Sequence, residues 1–226
     1  MKNHRAVFEE TLVFALTRWG LAITAEQLRR MWAHFEAVVE TNRMMNLTRI
    51  TEPSEAAVKH YADSLSLLAW TQERSIAVRT VLDVGTGAGF PAVPLAVMRP
   101  DWDITTIDAT RKKVEFLTGA AAVIGATNLH VEHAHAAHWQ TDRRFDLVAT
   151  RALGPLGRCL ELCSAFVRTD GRLVVYKTAS LTRDEMAESE KRVKTSRMLA
   201  EDPFAYDLQV ADETLWRKLH LFRRTK

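Results

Sequence analysis

Apolar residues near helical spacing predict a helix over residues 5–19, built on Val7, Phe8, Leu12, Ala15, Leu16 and Trp19. Gly20 stands where that helix should stop. Thr24 and Gln27 have the spacing of a capping box, which predicts a second helix with the stripe Leu28, Met31, Trp32, Phe35 and Val38/Val39. After a polar turn over 46–53, Ser54 is placed to cap a third helix ending near Ala69. From Thr80 the pattern changes. Short apolar runs at 80–84, 103–108, 129–132, 145–150 and 172–177 alternate with helical segments at 91–98, 110–124 and 155–167. Gly125 and Gly171 follow two of those helices. A charged helix over about 182–198 precedes two runs, 204–210 and 215–222, that suit an antiparallel pair. The fold class is therefore α/β: a doubly wound, mostly parallel sheet behind an N-terminal helical cap. Residues 1–70 form the cap and residues 71–226 the main domain, with no Gly/Ser linker between them.

Composition narrows the class little further. An apolar share of 47% and a charged share of 26% are ordinary for a globular protein. A net charge of +3 is too mild to announce nucleic-acid binding, although the surplus lies wholly in residues 171–226 and the chain ends Arg223-Arg224-Thr225-Lys226. Cys159 and Cys163, the only cysteines, stand four apart on a predicted helix and suit two reduced core thiols rather than a disulfide framework. No apolar run approaches the roughly 18 residues of a membrane span. The first residues do not resemble a signal peptide, so a cytoplasmic protein is expected. His130, His133, His135 and His138 match no zinc spacing, and no metal is expected. Oligomeric state is not legible.

The sharpest feature is Asp83-Val84-Gly85-Thr86-Gly87-Ala88-Gly89-Phe90-Pro91. A buried strand runs into a turn in which Gly85, Gly87 and Gly89 let the backbone approach a ligand. The spacing is GxGxG, not the dinucleotide GxGxxG. A nicotinamide cofactor places a pyrophosphate at such a turn, where the carboxylate of Asp83 is unwelcome. S-adenosylmethionine carries no phosphate and is cationic at its amino group and sulfonium, so Asp83 favours it. Asp108 ends the second strand, where an acid can accept both ribose hydroxyls, or can simply cap the helix beginning near Arg111.

At this point a resemblance becomes specific. Asp83–Pro91 with Pro94 and Leu95 resembles the RsmG (GidB) family of bacterial 16S rRNA guanine-N7 methyltransferases. Asn46-Leu47-Thr48 and His60-Tyr61-Ala62-Asp63-Ser64 resemble that family's NLT and H-x-x-D-S signatures, and Thr150-Arg151-Ala152 its S-R-A. Asp108 with Arg111-Lys112-Lys113-Val114 and Phe116-Leu117 resembles its D-S-x-x-K-R-x-x-F-L. The resemblance implies a seven-stranded, Rossmann-like methyltransferase sheet, S-adenosylmethionine as cofactor, and 16S rRNA or a small ribosomal subunit particle as partner. It implies cofactor contacts at Gly85, Phe90, Ala136, Ala137 and Arg151, joining Asp83, Gly87, Gly89 and Asp108. Three positions depart from the family pattern: Ala92 and Thr178 replace glycines, and Ala137 stands where an acidic residue is usual.

Guanine N7 carries an in-plane lone pair, so its methylation needs alignment rather than a general base. Arg151 and Lys177, at the ends of adjacent strands, are the expected catalytic residues, orienting the base or a phosphate, although either can be an ordinary ion-paired side chain. Asn46, His60 and Asp63 are expected at the substrate mouth, or as bracing of the cap. Arg111–Lys113 and the basic tail are candidate phosphate contacts. Two alternatives remain open: a methyltransferase for another RNA or a small molecule, and a ribosome-associated S-adenosylmethionine-binding protein with reduced turnover.

Overall fold

The computed structural model describes residues 3–226. The helical section comprises α1 (His4–Thr17), α2 (Ala25–Asn42), α3 (Pro53–Ala56), a π-helical turn (Ala57–Ala62) and α4 (Asp63–Glu73). The capping box forms as expected: the Thr24 hydroxyl accepts from the Gln27 N–H, and the Gln27 side chain accepts from the Thr24 N–H. Ser54 does not cap the third helix. Glu52 does, its carboxylate accepting from the Glu55 N–H at 2.7 Å, while Ser54 sits inside α3 and donates to the same carboxylate. Pro53 fixes this start, because it fits the first helical position without needing a donor.

The remaining elements are β1 (Thr80–Val84), α5 (Ala92–Met98), β2 (Asp103–Asp108), α6 (Arg111–Val123), β3 (Leu129–His133), β4 (Phe145–Arg151), α7 (Leu156–Cys163), β5 (Val167–Thr178), α8 (Arg183–Thr195), β6 (Met198–Val210) and β7 (Glu213–Arg224). They form one seven-stranded sheet of order β3-β2-β1-β4-β5-β7-β6, parallel except that β7 runs antiparallel to both neighbours. Gly171 is not a helix stop. It lies within β5, where an added Cβ would come 2.9 Å from the Phe145 and Asp146 carbonyl oxygens, so the position is glycine for close strand approach. The helix before it ends at Cys163, with a single 3₁₀ turn through Phe166.

Side chains alternate between two cores. Val81, Ile104, Leu147, Ala149 and Val174 face the helices of the N-terminal section with α5 and α6. Leu82, Val84, Ile107, Val148 and Val175 face α7. The first core runs without a break from Phe8 to Leu221, and residue 70 falls within α4. By the same alternation Asp83 and Arg151 point to the helical-section side of the sheet. Strand order reverses between β1 and β4, and in a doubly wound sheet the ligand crevice opens at that point, beyond the carboxyl ends of the strands.

Candidate active site

The glycine turn leaves β1 and is pinned at each step. Gly85 N–H donates to the Ile107 carbonyl at 2.9 Å, Gly87 N–H to Asp108 Oδ2 at 3.0 Å, and Gly89 N–H to the Thr86 carbonyl at 2.9 Å. All three glycines hold positive φ, a region costly for other residues. A Cβ on Gly85 would come 2.9 Å from Leu153, and one on Gly89 would come 2.8 Å from both Leu117 and Val93. A Cβ on Gly87 would meet nothing within 4 Å, so this part of the turn borders open space.

On the Gly85 side of the turn lies a cavity of about 260 Å³ lined by Gly85, Ile107, Asp108, His135, Ala136 and Leu153, among others. Asp108 is not the N-cap of α6; Thr110 takes that position. The Asp108 carboxylate instead spans the turn and the helix start, accepting from Gly87 N–H through Oδ2 and from Thr110 N–H through Oδ1. Each oxygen keeps a lone pair for a hydroxyl donor. Ala136 lines the cavity and its N–H makes no hydrogen bond among the described residues. Ala137 is exposed, does not line the cavity, and donates its N–H to His135 Nδ1. A larger cavity, about 780 Å³, lies between α8 and β7, away from the glycine turn.

Asp83 is wholly buried beneath the turn and does not line the cavity. Its Oδ1 has no partner, and Thr106 Oγ1 reaches its Oδ2 only at 3.5 Å. Burial pushes its pKa up to about 6, against the opposing pull of the Thr86 hydroxyl and the Arg151 charge. An underpaired carboxylate kept beneath a ligand turn suits a cationic ligand. A cavity bordered by Gly85, with Asp108 as a hydroxyl-accepting acid, suits the rest of S-adenosylmethionine. The residues present fit that cofactor.

Arg151 ends β4 and is gripped by the helical section. Its Nη1 donates to Asp63 Oδ2 at 3.0 Å and to the Lys59 carbonyl at 3.1 Å, and its Nη2 donates to His60 Nδ1 at 3.3 Å. Its guanidinium carbon stands 5.1 Å from the centroid of the Phe90 ring. Lys59 and His60 belong to the π-helical turn, an element that often marks a functional position. Asp63 Oδ1 accepts from the Tyr206 hydroxyl at 2.7 Å, and the Tyr176 hydroxyl donates to the Ser64 carbonyl. His60 stacks on Phe90 at 4.6 Å and donates through Nε2 to Thr48 Oγ1 at 2.8 Å. Burial, then the Arg151 charge, push its pKa down to about 3, so it is neutral.

The structure thus brings together Asp83, Gly85, Gly87, Gly89, Phe90, Asp108, Arg151, His60 and Asp63. Asn46 lies exposed in the loop that Thr48 anchors to His60; Asn42, not Asn46, holds that loop, accepting from the Leu47 and Thr48 N–H groups. Lys177 is committed to the Glu185 carboxylate and the Gly154 carbonyl, both at 2.7 Å. Lys113 lines the cavity, while Arg111 and Lys112 are exposed beside it. The basic tail lies elsewhere: Arg223 pairs across from Arg172, well back along β5 from its Thr178 end. The histidines scatter, His130 to Asp103 and His133 to the Ala109 carbonyl, and no group of metal-binding side chains occurs among the described residues. Cys159 and Cys163 are buried and free. Composition and spacing did not mark His34, Leu153, Tyr176 or Tyr206, which join the site only through the fold.

The model of the GidB family, described as rRNA small subunit methyltransferase G, matches residues 27–204. The chain is 32% identical over 216 residues to the Ribosomal RNA small subunit methyltransferase G of Listeria monocytogenes serotype 4b (strain F2365), covering 94% of this chain and 89% of that one. It is 33% identical over 186 residues to the protein of the same name from Streptococcus agalactiae serotype V, covering 80% and 77%. Among solved structures, an S-adenosylmethionine-dependent methyltransferase from Clostridium acetobutylicum superimposes with a TM-score of 0.58 at 9% identity, over 87% of this chain and 100% of that one. YcgJ from Bacillus subtilis superimposes with a TM-score of 0.55 at 15% identity, over 72% and 98%. These distant structures share the fold. The family match, spanning the glycine turn and Arg151, accords with the cofactor cradle: the chain is an S-adenosylmethionine-dependent methyltransferase and belongs to the GidB family, rRNA small subunit methyltransferase G.

Proposed function

We propose that the acceptor is guanine N7 in 16S rRNA, presented on a small ribosomal subunit particle, and that residues 1–70 act as the substrate-side cap. The observation that carries this reading is Arg151, set by the cap at the switch point yet keeping its Nε–H without a partner among the described residues. S-adenosylmethionine supplies the electrophilic methyl group. The chain's own task is to orient the base. Guanine N7 needs no proton removed, and no base is offered here: His60 is neutral with both ring nitrogens engaged. The free edge of Arg151 is a donor for guanine O6 or a neighbouring phosphate. Asp63 offsets its charge, so a base gaining positive charge at N7 is not repelled.

Around this point Asn46, Arg49, Arg111 and Lys112 are exposed and suit an RNA backbone. Lys177 acts indirectly, holding the Gly154 turn that follows Arg151. Such a substrate implies a cytoplasmic protein. The test uses full-length protein, radiolabelled S-adenosylmethionine and small subunits from cells lacking the enzyme, with the product mapped by chemical cleavage at N7-methylguanine. One labelled guanine in 16S rRNA is expected. Label in another RNA or at another guanine atom refutes the acceptor, and binding without transfer refutes turnover.

A further inference from the structure

The cofactor turn is held from a direction the sequence motif does not reveal. His34, in the middle of α2, is fully buried, and its ring reaches the turn from the helical section. Its Nε2 lies 2.9 Å from the Ala88 carbonyl oxygen, and its Nδ1 lies 2.7 Å from the Tyr61 hydroxyl. A carbonyl can only accept, so Nε2 carries the proton. In the neutral ring Nδ1 is then a lone pair, and Tyr61 must donate to it. Burial pushes the pKa of His34 down to about 4, which keeps the ring in that form. The same ring stands against Gly89, where an added Cβ would come within 3.2 Å of Nε2.

We propose that His34 is a positioning residue for the S-adenosylmethionine turn: the relay from Tyr61 through His34 to the Ala88 carbonyl fixes the peptide between Ala88 and Gly89. Without it that carbonyl is a buried acceptor with no partner, free to turn away. The neighbouring bonds from Gly87 N–H to Asp108 and from Gly89 N–H to Thr86 then lose their common geometry. The relay also ties the π-helical turn, which carries Tyr61 and grips Arg151, to the cofactor turn. Cofactor and acceptor sides of the reaction are thereby set by one buried chain of donors.

This inference rests on the turn being the cofactor site, so wild-type calorimetry with S-adenosylmethionine comes first; absence of binding overturns that assignment and the inference with it. Affinity is then measured in His34→Leu, His34→Gln and Tyr61→Phe, well below each melting temperature. Loss of a hydrogen bond to a buried carbonyl predicts about tenfold or greater weakening in His34→Leu. His34→Gln, whose amide can replace the Nε2 donor, should recover most of it, and Tyr61→Phe should fall between. Leu and Gln variants that bind alike, or a folded His34→Leu that binds within twofold of wild type, overturn the proposal while leaving the cofactor site intact. Should His34→Leu not fold, hydrogen exchange of the wild type decides. S-adenosylmethionine should slow exchange in the middle of α2 as well as in the turn, and protection confined to the turn refutes the relay.

Discussion

Asp83→Asn separates the cost of a buried charge from its use. The carboxyl is fully buried, one oxygen is unpartnered, and its pKa is raised from 3.8 to about 6. A shift of about two pH units corresponds to about 3 kcal/mol. The unfolded chain releases this proton near pH 4 and the folded one near pH 6. Stability attached to the protonated form is therefore complete below pH 4, declines as pH rises, and is gone above pH 6. At pH 8 the wild type folds with the full cost in place. The amide removes it but adds a buried N–H group short of partners, worth about 1–3 kcal/mol in the other direction. The net expectation at pH 8 is a change between zero and about 2 kcal/mol of stabilisation. At about 2–4 °C per kcal/mol for a domain of this size, the melting temperature of the ligand-free protein should hold or rise by several degrees.

The same substitution should weaken S-adenosylmethionine binding by about tenfold or more, since a carboxylate retained against a folding cost is a mark of a functional position. Calorimetry at pH 8 and thermal melts at pH 4.5 and pH 8 check both halves. The advantage of Asn over Asp should shrink at pH 4.5, where the folded wild type is already protonated. A variant that melts several degrees lower at pH 8 and binds the cofactor within twofold of wild type would show that the charge braces the fold, and the reasoning would fail.

His34 and His60, with pKa values lowered from 6.5 to about 4 and about 3, give stability that is full above pH 6.5 and lost as pH falls, because the unfolded chain takes up their protons first. Urea unfolding followed by tryptophan fluorescence should show a decline from pH 6.5 to pH 4, steeper in Asp83→Asn, which lacks the opposing gain; a flat profile counts against it. Gly89→Ala should lower the melting temperature far more than Gly87→Ala, because its Cβ meets Leu117 and Val93 whereas the other meets open space; equal losses would discount the close packing. Arg151→Lys keeps a charge near Asp63 but loses the planar fork, so methylation of small subunits should fall on the order of 100-fold with cofactor affinity kept. Near-wild-type rates in Arg151→Lys would remove Arg151 from the reaction.

What was legible in the chain follows the range of the forces involved. Strands β1 to β4 stand within a residue or so of their expected limits, because buried parallel strands read as short runs of apolar and β-branched residues such as Val81-Leu82 and Ile104–Ile107. The Thr24–Gln27 box is local and needed no tertiary knowledge. By contrast β6 begins at Met198, six residues before the apolar run, and its first part is held by pairs such as Arg172 with Glu201, which no periodicity encodes. The π-helical turn was invisible for a related reason. Its sequence, Ala57–Ala62, suits an ordinary helix, while the arginine that caps its carbonyls lies 92 residues away in the chain. The glycine turn and Asp108 announced themselves through residue type. The Asp63–Arg151 and Tyr206–Asp63 contacts, 88 and 143 residues apart, required the fold.

Those distant contacts explain why a helical section should be attached to a methyltransferase sheet by a shared core rather than a linker. With the proposed guanine N7 acceptor, Arg151 alone at the end of β4 would be a cation facing a base that itself becomes cationic. Paired with Asp63, and held over the Phe90 face, it presents directional N–H groups with little net charge. The pair is mostly buried, with side-chain exposures of 15% and 10%, so its geometry matters more than its Coulomb energy. Tyr206 supplies the second bond that holds Asp63 in place. A rigid attachment is needed because an orienting group displaced by an ångström loses much of its effect. On the proposed reading, the helical section would do two things with one surface: fix the donor edge offered to the base, and through His34 and His60 pack directly on Ala88 and Phe90 of the glycine turn.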